Sequence, residues 1–529
     1  MSDYVNPTFE KFEMSLNSKI YVDKSKLISV TNDLVRTEQR FICISRPRRF
    51  GKTMAANMLA AYYGSEPCEL FADLKIASCP SYEKHLNKYN VVQINVQEFL
   101  SEADTVIELL SEIQTVITEE LVEIYPDIKY RRKESFTQVF KDVYRATKKP
   151  FVILIDEWDC LFREYKNDLV SQKKYLDFLR LWLKDQAYIG LAYMTGILPI
   201  KKYGTHSALN MFSEYSMLRP FEFLNYFGFT AGEVQELSVE YGMDFEDVKK
   251  WYNGYFIDKE MPIYNPKSVS ACMIEGEFDS FWNKTETYEA LKDYIRMDFD
   301  GLREKVISLI AGGSIEINKN KFSNDMTTMN SIDDVLTLLV HLGYLTYNFE
   351  QETVRIPNME VRKEFINSIE DLEGWEHVVR AVRDSQKLLQ AIWDKDEDFV
   401  ASGIESVHEQ NASILKYNDE NSLSCVISLA LYASSEYYTQ IRELPTGKGY
   451  SDIVFIPRKK HTDKPALVVE LKWDKTALSG IDQIRAKNYP AKLEEYRENM
   501  LLVAVNYDKE TKVHECLIEE FSVGIKTRD

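Results

Sequence analysis

Cysteine is scarce in this chain. There are seven in 529 residues, an odd number, and none is arranged as Cys-x-x-Cys. That excludes a disulfide framework and the common zinc spacings, and it suits a reducing cytosol, so a cytoplasmic location is expected. Histidine is equally sparse, with seven scattered residues and no His-Glu-x-x-His. No apolar run is long enough to span a bilayer, so no membrane partner is expected. The start, Met1-Ser2-Asp3-Tyr4, has no basic patch leading into an apolar stretch, and no secretory signal is expected. Internal repeats and low-complexity tracts are missing as well. Positive charge is in deficit: 65 Lys and Arg face 84 Asp and Glu, a net charge of −19. Such a chain does not attract nucleic acid as a whole. Any DNA contact has to come from a local patch, such as Lys129-Tyr130-Arg131-Arg132-Lys133 or Arg458-Lys459-Lys460-His461, and each of these reads first as a solvated loop. What is present, 45% hydrophobic and 28% charged residues, is ordinary globular composition. The length calls for roughly three or four domains.

The most informative stretch is Arg46-Pro47-Arg48-Arg49-Phe50-Gly51-Lys52-Thr53. It follows the apolar run Phe41-Ile42-Cys43-Ile44 and precedes a helical pattern from Met54 to Tyr63. Strand, loop and helix with Gly-Lys-Thr at the helix start is the layout of a phosphate-binding loop, or Walker A motif. Backbone N–H groups of such a loop converge on an anion. Lys52 would reach the outer phosphates and the Thr53 hydroxyl would take a place on Mg²⁺. Arg48, Arg49, Phe50 and Gly51 complete the candidate cradle. Arg46 stands where the consensus has its first glycine. Pro47 pushes it towards extended geometry, so the loop is expected to turn differently.

A second motif is Phe151-Val152-Ile153-Leu154-Ile155-Asp156-Glu157, an apolar strand ending in two carboxylates, as a Walker B motif does. Asp156 would hold the Mg²⁺ shell and Glu157 would polarise the attacking water. A shorter strand candidate, Val91 to Val96, lies between the two motifs. Another, Leu191-Ala192-Tyr193-Met194-Thr195-Gly196, follows them. That is the layout of the P-loop ATPases with an additional central strand. Thr195 is either a γ-phosphate sensor or the turn residue before Gly196.

From Phe229 to Tyr255 the pattern is helical. Thr230 with Glu233 forms a capping box, Asn253-Gly254 is a stop, and Asn265-Pro266 starts another helix. No strand pattern is seen there, so a helical subdomain is expected. Helix, hairpin and helix over 331–366 read as a winged helix used for packing. Residues 375–420 are helical and acidic.

The last stretch reads helix (422–433), strand (437–442), turn (445–449), strand (450–456), strand (466–473), helix (477–489) and strand (501–506). Asp452 lies on the second strand. Glu470 and Lys472, two apart on the third, share a face. Two carboxylates from neighbouring strands suit Mg²⁺, which acidifies a water and neutralises charge on a phosphodiester. A lysine beside them steadies that charge. Asp452, Glu470 and Lys472 are either a metal-dependent phosphodiesterase site or a salt-bridged sheet edge. Glu443 or Glu420 would add a carboxylate, and Gln483 and Tyr489 lie on the helix that follows.

The motif around Lys52, the Ile155-Asp156-Glu157 strand, Thr195-Gly196-Ile197-Leu198, Tyr226-Phe227-Gly228-Phe229-Thr230 and Trp251-Tyr252-Asn253-Gly254-Tyr255 resemble the AAA-ATPase-like bacterial family. Gly447-Lys448-Gly449-Tyr450-Ser451-Asp452 and Glu470-Leu471-Lys472 resemble the PD-(D/E)XK nuclease-like domain its members usually carry. The resemblance implies that Arg46 is normal in this loop. It also implies an α/β multidomain fold. That fold comprises a P-loop ATPase with an additional central strand (1–225), a helical lid and winged-helix-like middle (226–370) and a linker (371–400). A restriction-endonuclease-like α/β domain (401–529) follows. The function expected is ATP binding and hydrolysis coupled to a Mg²⁺-dependent DNA nuclease, with a defence or mobile-element role suggested by the domain pairing alone. The alternative is a nucleotide-dependent switch or remodeller whose last domain is a non-catalytic binding module. The expected partners are ATP and nucleic acid, with homo-oligomerisation left open.

Overall fold

Short apolar runs build the first sheet. Its strands are β1 (Phe41–Ser45), β2 (Asn90–Asn95), β3 (Phe151–Asp156), β4 (Ile189–Gly196) and β5 (Ser213–Tyr215). The computed structural model describes residues 2–64, 69–200, 209–256, 262–282, 286–296, 301–319, 322, 331–411, 426–445, 450–486 and 491–521. The chain divides into two units, Met1–Thr287 with Glu316–Arg362, and Tyr288–Ile315 with Lys363–Asp529.

In the first unit the strands lie in the order β2-β3-β4-β1-β5, all parallel. β4 is therefore the additional strand between the phosphate-loop strand and the Asp-Glu strand. Alternate side chains supply two cores. Phe41, Cys43, Phe151 and Ile153 face one, and Ile42, Ile44, Val152 and Leu154 face the other. Burial on both faces is what makes these strands unbroken apolar runs. In an open parallel sheet, ligands bind outside the carboxyl ends of the strands. Here those ends carry the loop before Lys52, Asp156 and Thr195.

The region after residue 226 has the expected helices Ala231–Glu240, Phe245–Tyr252 and Pro266–Glu275. Thr230 and Glu233 close the capping box, and Asn265 caps the third helix by accepting from the Lys267 and Ser268 N–H groups. The expectation that no strand occurs here needs correction. Phe229–Thr230, Pro262–Tyr264 and Tyr255–Phe256 form a small antiparallel sheet. Strands of two or three residues are too short to show alternation. The helix Ile332–Leu342, the hairpin Thr346–Asn348 with Thr353–Arg355, and the helix Met359–Glu370 give the helix–hairpin–helix order read for 331–366.

The second unit holds a mixed sheet in the order Tyr438–Pro445, Tyr450–Pro457, Ala466–Trp473, Met500–Tyr507 and His514–Glu520. Only Ala466–Trp473 and Met500–Tyr507 run parallel. Their connection contains the helix Ala477–Ala486, as a parallel pair requires. One face of the sheet, with Val469, Leu471, Val503 and Val505, packs with Leu388, Leu389 and Ile392 of the helix Glu376–Asp394. The segment read as a linker, 371–400, thus supplies side chains to this core. The other face, with Val468, Leu502 and Ala504, packs with Ile481 and Ile484.

Candidate functional site

Gly51, at φ +88°, caps the helix Lys52–Tyr63, and Arg49 is also left-handed at φ +72°. The loop turns at these two residues. Arg46 is instead buried, with its Nη1 donating to the carbonyls of Ser45 at 2.9 Å and Tyr215 at 2.8 Å. Its guanidinium lies 5.5 Å from the Phe227 ring centroid. Burial lowers its pKa to about 10. Arg46 therefore ties β1 to β5 and fills space that a glycine would leave open.

Lys52 is buried and its Nζ donates to the carbonyls of Arg46 and Pro47, both at 3.1 Å. Burial lowers its pKa, against the pull of Glu157 and Asp156. Thr53 Oγ1 donates to Asp156 Oδ2 at 2.6 Å. Thr195 Oγ1 donates to the other oxygen, Oδ1, which also accepts from the Glu157 N–H at 3.1 Å. Thr53 and Thr195 thus converge from two other elements on the one carboxylate of Asp156. Glu157 stands beside them at φ +51°. Arg49 lies at the rim, its Nη1 donating to the carbonyls of Phe281 at 2.6 Å and Trp282 at 2.8 Å. Phe50 is buried edge-to-face against Tyr255.

A cavity of about 920 Å³ opens on this cluster, and Arg48, Lys52, Thr53 and Glu157 are on its wall. Elsewhere its wall is mixed: Phe12, Val22, Met58 and Phe229 form an apolar part, and Lys24, Gln97 and Lys267 are polar. A buried ammonium, backbone N–H groups and a threonine hydroxyl next to a carboxylate are a donor set that fits a nucleoside triphosphate with Mg²⁺. The sequence reading missed Arg163, which lies on the same wall and bonds Glu157, and Asp159, which lies behind it. Their only signal is an Asp and Arg four apart on a short helix.

In the second unit, Glu470 Oε1 accepts from Lys472 Nζ at 2.9 Å and also from Gln483 Nε2. Glu470 and Lys472 are both buried. The helix bearing Gln483 lies close to the sheet because of Gly480, where a Cβ would stand 2.8 Å from the Ala504 Cβ. Asp452 lies in the neighbouring strand. Its next residue Ile453 pairs with Val469, so Asp452 and Glu470 are the next positions along that register. The side chains of Asp452 and Glu443, together with Glu420 and Tyr489, lie outside the described residues. Among the described residues, no group of three or more His, Cys, Asp or Glu gathers as a metal cage, and no helix is long and apolar enough to cross a membrane.

A parallel P-loop sheet and a mixed sheet with a buried Glu-x-Lys define a P-loop ATPase-type unit and a nuclease-like unit. Two family models agree. Residues 8–205 match the predicted AAA-ATPase family, and residues 418–516 match the PD-(D/E)XK nuclease superfamily. The chain is 25% identical over 338 residues to an uncharacterized protein in the vnfD 5′ region of Azotobacter chroococcum mcd 1. That match covers 60% of this chain and 61% of the relative. Among solved structures, the ORC2 protein of Aeropyrum pernix, in ADPNP–ADP complexes, aligns with a TM-score of 0.26 at 11% identity. It covers 68% of this chain and 92% of that one. Cdc6p of Pyrobaculum aerophilum aligns with a TM-score of 0.22 at 10% identity, covering 68% of this chain and 98% of that one.

Proposed function

We propose that this chain binds and hydrolyses ATP with Mg²⁺ in the first unit and couples that cycle to metal-dependent phosphodiester cleavage, of DNA first, in the second. The observation that carries the ATPase half is the convergence of Thr53 and Thr195 on the buried Asp156, directly behind a cavity whose wall carries Lys52, Thr53 and Glu157. Lys52 meets the outer phosphates. Thr53 and Asp156 hold the metal, and Thr195 senses the γ-phosphate. Glu157 polarises the attacking water. Arg48, Arg49, Phe50 and Gly51 shape the cradle, and the apolar part of the wall, Phe12, Val22, Met58 and Phe229, offers a surface for the base.

The nuclease half rests on the superfamily match over 418–516 and on Glu470 and Lys472 sharing one face with Gln483 at hand. Asp452 and Glu470 would hold the metal, and Lys472 would steady charge on the phosphate. One observation favours a second reading. The Glu470 carboxylate is already engaged by Lys472 and Gln483, as in a structural ion pair, and the unit would then be a binding module switched by nucleotide.

The experiment is incubation of the purified protein with supercoiled plasmid and single-stranded DNA, with Mg²⁺ or Mn²⁺, with and without ATP. Metal-dependent cutting that disappears in Asp452→Ala, and ATP turnover that disappears in Glu157→Gln, are expected. A parent protein that cuts nothing under any of these conditions leaves the binding-module alternative.

A further inference from the structure

Two residues just past the Asp-Glu strand have no part in the scheme above, and the structure wires them to its water-polarising carboxylate, Glu157. Arg163, on the short helix Cys160–Glu164, donates from Nη2 to Glu157 Oε2 at 2.5 Å. Its Nε stands 3.4 Å from Asp159 Oδ2. Asp159 is fully buried, and that same oxygen accepts the backbone N–H groups of Ile197 at 3.2 Å and Leu198 at 2.8 Å. Those residues directly follow Thr195-Gly196 at the end of β4. The fit is tight, since a Cβ on Gly196 would stand 2.4 Å from Asp159 Oδ1 and 2.7 Å from Trp158 Cδ1. A chain of contacts, hydrogen bonds at both ends and an ion pair between Asp159 and Arg163, therefore runs from the β4 end to Glu157.

Glu157 needs such a chain. It is a non-glycine residue at φ +51°, and its side chain borders an open cavity. Left-handed backbone of this kind persists where the surroundings over-determine it. An unsupported glutamate there would sample several rotamers. A planar guanidinium holds a carboxylate in a defined orientation, which an ammonium does less well. Arg163 and Lys52 bring two cations to a cluster of three carboxylates, Asp156, Glu157 and Asp159, and Arg163 is the one that bonds Glu157 directly.

We propose that Arg163 is the positioning residue for Glu157 in ATP turnover, and that Asp159 sets Arg163 by the position of the β4 end. This rests on Glu157 being the water-polarising group. Any shift of Thr195 on meeting a γ-phosphate would then reach Glu157 through the Asp159 and Arg163 side chains. The strand tip that reads the nucleotide and the carboxylate that acts on it move together.

The test measures ATP turnover, and separately the affinity for a non-hydrolysable ATP analogue with Mg²⁺, in the full chain. Arg163→Ala should lower kcat by about 100-fold, the scale of loss when a reacting group is misplaced by about 1 Å, with analogue affinity within about threefold of the parent. Arg163→Lys should recover part of the loss, and Asp159→Asn should fall between. If Arg163→Ala fails to fold, Arg163→Lys carries the test, with a lowered kcat at unchanged affinity as the expected result. Parental or faster turnover in Arg163→Ala overturns the proposal, as does a lysine variant no better than alanine, or a joint loss of affinity and kcat in all three. Glu157→Gln is measured alongside. If it turns over ATP normally, the role of Glu157 itself is wrong. If it is inactive while Arg163→Ala matches the parent, only the positioning role is lost.

Discussion

Lys52 donates its ammonium to the backbone carbonyl of Arg46, 3.1 Å away and six residues back in its own loop. A phosphate in the cradle would compete with that carbonyl for the same protons. Lys52→Ala should therefore abolish thermal stabilisation by ATP and Mg²⁺. A ligand bound only by the folded state adds RT ln(1 + [L]/Kd), about 2.7 kcal/mol at a hundredfold excess over Kd. The quantity to compare is the ATP-induced shift in melting temperature within each protein. The variant also loses a buried cation, so its apo stability changes for another reason. A shift equal to the parent's in Lys52→Ala would remove the lysine from binding.

Thr195→Val separates a sensor from a turn residue. The swap keeps the branched shape and removes the hydroxyl that donates to Asp156 Oδ1. As a sensor, Thr195 should be needed for turnover, with kcat falling about tenfold or more at near-normal ATP affinity, a loss of at least about 1.4 kcal/mol in the transition state. As a turn residue it should cost only the hydrogen bond, about 1 kcal/mol of stability, and leave kcat alone. Steady-state kinetics with a melting curve decide between them.

Removing one partner of a buried ion pair leaves an uncompensated charge and costs about 3–5 kcal/mol. Lys472→Met should therefore destabilise the second unit strongly. Adding Glu470→Gln should recover much of the loss, because no buried carboxylate is then left alone. Melting of the single and double variants measures this. A double variant as unstable as the sum of the singles would mean that the two side chains are not paired.

His408 Nδ1 and His514 Nε2 lie 2.9 Å apart in the second unit, both buried. Burial lowers their pKa values, to about 4 for His408 and about 3 for His514, the latter also through His408. Below the ordinary value of 6.5 the unfolded chain binds protons at both sites and the folded chain does not. Stability therefore rises with pH through this window, is full above 6.5, and is lost as pH falls, by at most about 1.4 kcal/mol per pH unit for each histidine. Melting of the parent from pH 7 to 5.5 should show the decline, and a His408→Leu, His514→Leu double variant should show a flatter profile. Equal slopes would place the acid sensitivity elsewhere.

How far the sequence could be read follows from what each element buries. Phe151 to Ile155 are all core residues, so β3 and its terminal Asp156 were legible as an apolar run with a polar end. β5 is three residues long with only Tyr215 buried, and it offers no such run. His514–Glu520 does alternate, with His514, Cys516 and Ile518 buried, but three glutamates among its seven residues dilute the apolar signal. Arg163 was invisible because its partners are near it only once Glu157 has taken its left-handed turn. The helix Glu376–Asp394 looked like a connector because six charged residues interrupt it in sequence, although it buries a stripe that includes Val378, Leu388, Leu389 and Ile392.

The strand Ala466–Trp473 sorts its work by parity. Leu467, Val469 and Leu471 point into one core, while Val468, Glu470 and Lys472 lie towards the helix that carries Gln483. A residue gained or lost inside this strand would exchange the two sets, driving leucines to the polar side and charges into the oil. Substitutions at odd positions should trade only in size, those at even positions in chemistry. The frame between them is held by backbone spacing that tolerates no single-residue slip.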